Sequence, residues 1–225
     1  MRIVLVPGFT QTAASWRQVV DALPLRQEVV ALDVPVEPDF AATAHAIGDA
    51  GGPGLYVGYS MGGRLVQRLA LDRPDLVLRA VLVSTSPGLA DPAARAERIE
   101  ADEQLAQLAE RDGAESFMVR WLAQPMWATL PPGAEEGRLR DAAAIAHQLR
   151  VLGTGTMEPL WDRLGEMHAP TRLVTGTQDT KFAAVAREML GALPDATHQE
   201  LPGGHGLVVE QPAALATIIQ LLANG

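Results

Sequence analysis

The sequence predicts an α/β architecture, in which about six parallel strands are flanked by helices and a helical lid is inserted after the fourth strand. Short apolar runs rich in Val, Leu and Ile alternate with stretches of helical periodicity. These runs are continuous rather than alternating with polar residues, which is typical of strands buried on both faces of a parallel sheet. The β-α-β-α order also implies right-handed crossovers and an open sheet.

The strands and core helices follow in chain order. The apolar runs predict strands at 2–6, 28–32, 55–58, 80–84, 172–175 and 197–201. Apolar residues at helical spacing predict helices at 16–23, 40–47, 61–69, 182–190 and 215–222. The chain begins directly at its first strand, so we expect no leading β-hairpin and no antiparallel edge strand.

Between residues 88 and 164 the strand-like runs disappear, and Ala, Glu, Arg and Gln dominate. Asp91-Pro92 predicts the N-cap and first position of a helix that ends near Gly113. Apolar spacing predicts two further helices, at 117–122 and 139–149. Because the α/β alternation then resumes, we expect one core domain, built from 1–87 and 165–225, with an inserted helical lid at 88–164 (the insertion).

Composition excludes several classes of protein. The formal net charge of −9 argues against nucleic acid or an anionic membrane as the main partner, and zero cysteines exclude disulfides and a Cys nucleophile. No apolar run approaches the ~18–20 residues of a membrane span, and no signal peptide is evident. Zinc-ligand spacings and a phosphate-binding loop after the first strand are missing. We therefore expect a soluble, cytoplasmic protein that takes a small molecule and needs no metal or organic cofactor.

The motif that carries chemistry is Gly58-Tyr59-Ser60-Met61-Gly62, which follows an apolar strand and opens a helix. Gly-x-Ser-x-Gly in that context is typical of a nucleophile elbow, whose tight turn lifts the Ser Oγ off the sheet edge. The Met61 N–H at the helix N-terminus would hold a developing oxyanion. After the first strand, Pro7-Gly8 places the Phe9 N–H as the second donor.

A serine nucleophile needs a base. Of the five histidines, His205 lies in a glycine-rich loop directly after the last strand, where ligand-facing groups of open α/β sheets gather. Asp179 follows the fifth strand in the same way and would orient the imidazole, whereas Asp162 and Asp195 are alternatives without a preceding strand. The chain order Ser60, Asp179, His205 is that of the α/β-hydrolase fold.

The chain resembles the α/β-hydrolase superfamily throughout, and within it the menaquinone-pathway 2-succinyl-6-hydroxy-2,4-cyclohexadiene-1-carboxylate (SHCHC) synthases. The matching stretches are 58–64, 84–89, Arg98 with Asp102, 121–125, 149–155, 159–164 and 179–182. The resemblance implies a lyase that eliminates pyruvate from a polycarboxylate precursor, using a Ser-His-Asp triad and an oxyanion hole. It also implies substrate contacts by Tyr59, Arg64, Arg98, Trp121, Lys181 and one of Arg138 and Arg140.

Two cations are also singled out by position, since Arg64 lies one helical turn after Ser60 and Lys181 lies two residues after Asp179. However, Pro7 stands where α/β-hydrolases usually have His, and a triad alone does not separate elimination from hydrolysis. A serine carboxylesterase or thioesterase acting on a small ester is therefore the alternative. A non-catalytic binding module is the third reading, which the complete set of triad residues disfavours.

Overall fold

The computed structural model describes residues 1–24 and 27–224. Its sheet has the strand order β2-β1-β3-β4-β5-β6, and all five pairings are parallel. The strands are β1 (Ile3–Val6), β2 (Val29–Ala31), β3 (Gly54–Tyr59), β4 (Val77–Val83), β5 (Thr171–Gly176) and β6 (Ala196–Leu201). For the described ranges, the prediction of six parallel strands without an antiparallel edge strand is confirmed. The fourth strand begins three residues earlier than predicted.

Eight α-helices surround the sheet in the described ranges. They are α1 (Arg17–Ala22), α2 (Phe40–Gly51), α3 (Met61–Asp72), α4 (Pro92–Leu122), α5 (Ala142–Leu152), α6 (Thr180–Ala192), α7 (Leu207–Glu210) and α8 (Pro212–Asn224). Short 3-10 turns lie at Ala13–Trp16, Pro125–Trp127 and Trp161–Glu166. The sequence did not predict α7, because four residues are too few to show a helical period.

Two apolar layers cover the two faces of the sheet. Val4, Val6 and Tyr56 pack on one face with residues of α2, α3 and α6. Ile3, Leu5 and residues of the neighbouring strands pack on the other face with α1 and α8. Because successive side chains of a strand point to opposite faces, both faces must be apolar, and this explains the continuous apolar runs.

The insertion contributes a third apolar cluster, in which α4 packs against α5. The backbone at Gly113, with φ 82° and ψ 161°, interrupts α4 where the sequence predicted a helix end. The two predicted helices are thus the two arms of one kinked element. The third helix begins at Ala142 rather than at Leu139, because the Asp141 side chain caps it by accepting from the Ala143 N–H.

The limits of the insertion at 88 and 164 stay a prediction, as does the cytoplasmic location. Among the helices of residues 1–24 and 27–224, none combines the length and the apolar character that crossing a membrane requires.

Candidate active site

Ser60 occupies the turn between β3 and α3 in a strained conformation, with φ 51° and ψ −109°. A positive φ is unfavourable for a residue with a Cβ and persists only where the surroundings enforce it. Two glycines make the turn possible. A Cβ on Gly58 would lie 2.6 Å from the Gly63 Cα, and one on Gly62 would overlap the Val6 carbonyl oxygen.

Ser60, His205 and Asp179 form a hydrogen-bonded chain. His205 Nε2 lies 3.1 Å from the Ser60 Oγ, and His205 Nδ1 lies 2.8 Å from the Asp179 Oδ2. In the tautomer that fits both contacts, Nδ1–H donates to the carboxylate and Nε2 accepts from the serine hydroxyl. The alternatives Asp162 and Asp195 are exposed and do not join this chain.

Aromatic rings surround the His205 imidazole, which is only 2% exposed. The ring centroids of Phe182, Trp127 and Tyr59 lie 4.6, 5.3 and 5.5 Å from that of the imidazole. This packing restricts the orientation of the ring and limits the access of water to it.

Two backbone N–H groups beside Ser60 have no acceptor among the described residues and can hold an oxyanion. Gly8 N–H donates to the Gln11 Oε1 at 3.2 Å, and Thr10 N–H donates to the Gln148 Oε1 at 3.1 Å. Within the described part of the chain, the Phe9 N–H between them has no protein acceptor, and neither does the Met61 N–H at the start of α3. Both residues line the same cavity as Ser60.

That cavity has a volume of about 410 Å³ and lies between the sheet edge and the insertion. The predicted contact residues that line it are Tyr59, Arg64, Arg98, Trp121 and Lys181. The Tyr59 hydroxyl and the Trp121 Nε1 are buried, and neither has a hydrogen-bond partner among the described residues. Burial raises the pKa of Tyr59, so its hydroxyl stays protonated and can donate to a ligand.

Arg64 is buried in this cavity without a carboxylate partner among the described residues. Its Nη1 lies 3.4 Å from the Met157 Sδ, and its guanidinium lies 5.8 Å from the centroid of the Phe40 ring. Burial lowers the pKa of Arg64 to about 9; Arg98 acts in the same direction, and Asp102 opposes it. The side chain remains a cation near pH 7, so it favours an anionic ligand.

Arg98 and Lys181 bring further positive charge. Arg98 Nε lies 2.9 Å from both carboxylate oxygens of Asp102. Burial raises the pKa of Asp102, and the Arg98 charge opposes that effect. The terminal nitrogens of Arg98 have no protein partner in the described ranges, so they can receive a carboxylate in the bidentate manner. Lys181 Nζ lies 5.6 Å from the centroid of the Phe182 ring at the cavity rim.

Neither Arg138 nor Arg140 reaches the substrate cavity in this structure, so the predicted contact of one of them with substrate stays a prediction. Both line a separate cavity beside the second arm of α4. Arg138 is buried because its Nη1 donates to the Thr10 Oγ1 at 2.7 Å and its Nε donates to the Ala134 carbonyl at 3.1 Å. Arg140 is exposed. Both lie in the segment that precedes α5, where Arg138 forms an isolated antiparallel bridge with Gln11.

Comparison with known proteins identifies the family to which this fold belongs. The sequence profile of the Alpha/beta hydrolase family matches residues 3–218. The chain belongs to this family.

Within the alpha/beta hydrolases, the chain is similar to proteins with one recurring name. It is 38% identical over 172 residues to the "Putative 2-succinyl-6-hydroxy-2,4-cyclohexadiene-1-carboxylate synthase" of Bacillus subtilis, and this match covers 72% of the chain and 63% of that protein. The chain therefore spans less than two thirds of that relative. It is 27% identical over 238 residues to a synthase of the same name from Enterobacter sp. (strain 638), covering 96% and 89% of the two. The solved structure of MenH from S. aureus superposes with a TM-score of 0.93 at 25% identity, covering 100% and 93% of the chains.

Sequence reasoning missed residues of this alpha/beta hydrolase that act through backbone groups. Gln148 holds the loop beside Phe9, and Glu210 contacts the loop that carries His205. Each partner is a main-chain N–H, which a sequence pattern does not reveal. Trp127 also lines the cavity and packs on His205.

Proposed function

We propose that this protein is an SHCHC synthase-like lyase, which eliminates pyruvate from a polycarboxylate menaquinone precursor. The observation that carries the proposal is the excess positive charge of the cavity that contains Ser60 and His205, where Arg64, Arg98 and Lys181 outnumber the single carboxylate of Asp102. The product named in the relatives carries a ring carboxylate and a succinyl carboxylate, and the pyruvate unit of the precursor adds a third. A neutral ester would gain little from these cations, and an isolated buried cation is unfavourable without an anion beside it.

In the proposed reaction, His205 Nε2 takes the Ser60 proton, and the Ser60 oxygen removes a proton from the carbon next to the succinyl carbonyl. Asp179 holds the imidazole and stabilises its positive charge. The electron pair of the broken C–H bond moves to the carbonyl oxygen, where the Phe9 and Met61 N–H groups stabilise it. The carbonyl then re-forms, and the electron pair passes through the ring. As it does so, the carbon–oxygen bond to the enolpyruvyl group breaks. The leaving group accepts the proton held by the His205 imidazolium and departs as pyruvate, which leaves Ser60 and His205 in their starting protonation states.

The cations would act on binding and on orientation. The unused nitrogens of Arg98 suit a bidentate carboxylate, and Arg64 offers a desolvated charge close to Ser60. Lys181 lies two residues after Asp179 and would contact a further carboxylate at the rim of the cavity. Holding three anionic groups at once fixes the carbon acid against the Ser60 oxygen.

Hydrolysis of a small ester or thioester is the second candidate function. The 3.1 Å contact between Ser60 and His205 and the two free N–H groups equally suit attack of Ser60 on an ester carbonyl. In that reaction the serine is a nucleophile, and an acyl-enzyme forms.

Product analysis separates the two candidates. The purified protein is supplied with the menaquinone precursor, and pyruvate is measured by coupling to lactate dehydrogenase. Turnover with pyruvate release, together with weak hydrolysis of p-nitrophenyl esters, is the result we expect. No pyruvate together with efficient ester hydrolysis would contradict the lyase and support the esterase.

A further inference from the structure

Glu210 holds the main chain on both sides of His205. Its Oε2 accepts from the Gly204 N–H at 2.6 Å, and its Oε1 accepts from the Gly206 N–H at 3.0 Å. The Thr129 hydroxyl of the insertion donates to the same Oε1 at 3.0 Å. We propose that Glu210 is a positioning residue for His205, an inference that rests on the proposed role of His205 as the base.

The glycines of this loop fit the carboxylate closely. A Cβ on Gly203 would lie 2.5 Å from the Glu210 Oε2, and one on Gly206 would lie 2.9 Å from the Oε1. A Cβ on Gly204 would overlap the Thr129 hydroxyl, and Gly203 has a φ of 136°. The sequence Gly203-Gly204-His205-Gly206 therefore allows the backbone to close around the Glu210 side chain.

These contacts explain how His205 keeps its position. Hydrogen bonds from backbone N–H groups to a carboxylate are charge-assisted and short, so they fix the peptide units Gly203–Gly204 and His205–Gly206, one on each side of the histidine. On the other side of the loop, the Gln178 N–H donates to the Gly203 carbonyl at 2.9 Å, which links the loop to that of Asp179. His205 can then hydrogen-bond to Asp179 and to Ser60 at the same time.

A direct role of Glu210 in binding substrate does not fit its surroundings. Glu210 does not line the cavity that contains Ser60. Among the described residues, no Arg, Lys or His side chain lies within ion-pair distance of its carboxylate. All of its side-chain hydrogen bonds in that part of the chain go to the two glycine N–H groups and to Thr129.

The test is Glu210→Gln, which keeps the size of the side chain but replaces one acceptor oxygen by an NH₂ group that faces an N–H donor. We expect kcat for pyruvate release to fall about 10- to 100-fold because the base is displaced, while KM changes by less than about 2-fold. The rate at which a fluorophosphonate inactivates Ser60 should fall by the same factor. Thr129→Val, which removes only the contact from the insertion, should change both rates by less than about 3-fold.

A spectroscopic readout distinguishes positioning from general destabilisation. The downfield proton resonance of the His205–Asp179 hydrogen bond should be lost or broadened in Glu210→Gln and retained in Thr129→Val, with thermal unfolding confirming that both variants are folded. A folded Glu210→Gln protein that is inactivated at the wild-type rate and keeps the resonance would overturn the proposal, even if the unfolding temperature of this variant fell. Because inactivation of Ser60 does not require the menaquinone precursor, this test stands if the wild-type protein releases no pyruvate.

Discussion

At the scale of single residues, the buried guanidinium of Arg64 links ligand preference to stability. Burial lowers its pKa to about 9, so the folded chain binds this proton more weakly than the unfolded chain, where the guanidinium keeps its ordinary, higher pKa. The resulting cost to stability is fully present below pH 9 and is relieved as the pH rises above the lowered pKa. Near pH 7 the ligand-free protein therefore carries an unfavourable charge that a bound carboxylate would compensate.

Arg64→Met tests this interpretation. Removing a desolvated charge that has no carboxylate partner should raise the free energy of unfolding of the ligand-free protein by about 1–4 kcal/mol at pH 7. The same change should lower kcat/KM for the anionic precursor by at least about 10-fold. Urea denaturation and steady-state kinetics measure the two effects.

Arg68→Met is the matched control, since Arg68 lies one turn further along α3 and is ion-paired with Asp72 at 2.6 Å. It should give no gain in stability and little change in kcat/KM. A loss of stability in Arg64→Met would contradict the account of Arg64 as an uncompensated charge.

Lys181 offers a second test of the anionic ligand, since its ammonium is exposed at the cavity rim. Lys181→Ala should lower kcat/KM for the precursor about 5- to 150-fold, which corresponds to about 1–3 kcal/mol for a hydrogen bond to a charged group. The loss should shrink as added salt screens the charge, and a neutral p-nitrophenyl ester should be affected much less.

Arg187→Ala is the control on the same helix, because Arg187 pairs with Glu200 at 2.6 Å and does not line the cavity. Equal and salt-independent losses on anionic and neutral substrates after Lys181→Ala would argue that Lys181 has no charge-specific role.

At the scale of elements, the insertion shapes the loop that offers the Phe9 N–H. Thr10, with φ 64°, is held on three sides by residues of the insertion. Its N–H donates to Gln148 at 3.1 Å, its carbonyl accepts from the Leu139 N–H at 2.7 Å, and its hydroxyl accepts from Arg138 at 2.7 Å. The insertion therefore does more than cover the cavity, because it also fixes the backbone next to one oxyanion donor.

Arg138→Met separates this structural role from the substrate contact predicted by the sequence. Arg138, unlike Arg64, donates to two protein oxygens, so its removal leaves the buried Thr10 hydroxyl and the Ala134 carbonyl without this donor, and the free energy of unfolding should fall by about 1–3 kcal/mol. We expect kcat to fall while KM for the precursor stays within about 3-fold and keeps its salt dependence. The exposed Arg140, changed to Ala, should behave like the wild type. A salt-dependent rise in KM for Arg138→Met would instead support the predicted contact between Arg138 and the substrate.

The contrast between Ser60 and Arg138 shows which parts of the site a sequence can predict. Ser60, Asp179 and His205 each lie within four residues of the carboxyl end of a strand, and a buried strand leaves a local apolar signal. The surroundings of Arg138 depend on Thr10, 128 residues away, and those of Gln148 on the same residue at a separation of 138. No local pattern records such contacts, so Arg138 and Arg140 could be proposed by resemblance but not placed.

At the scale of the whole molecule, one edge of the sheet gathers the reacting groups. Phe9, Ser60, Asp179 and His205 follow the carboxyl ends of β1, β3, β5 and β6. Parallel strands bring these ends to the same edge, which is where open α/β sheets bind ligands. The insertion covers that edge and adds Arg98 and Trp121 to the cavity, although the chain as a whole carries a formal net charge of −9. The positive charge of the cavity is thus a local feature within an acidic protein.

The most direct test of the account is pyruvate release from the menaquinone precursor by Ser60→Ala, compared with the wild-type protein. Removing the Ser60 oxygen should lower the rate by several orders of magnitude, as the loss of a triad serine does, while the thermal unfolding temperature stays close to that of the wild type. A folded Ser60→Ala protein that releases pyruvate at nearly the wild-type rate would contradict the assignment of Ser60 to the reaction.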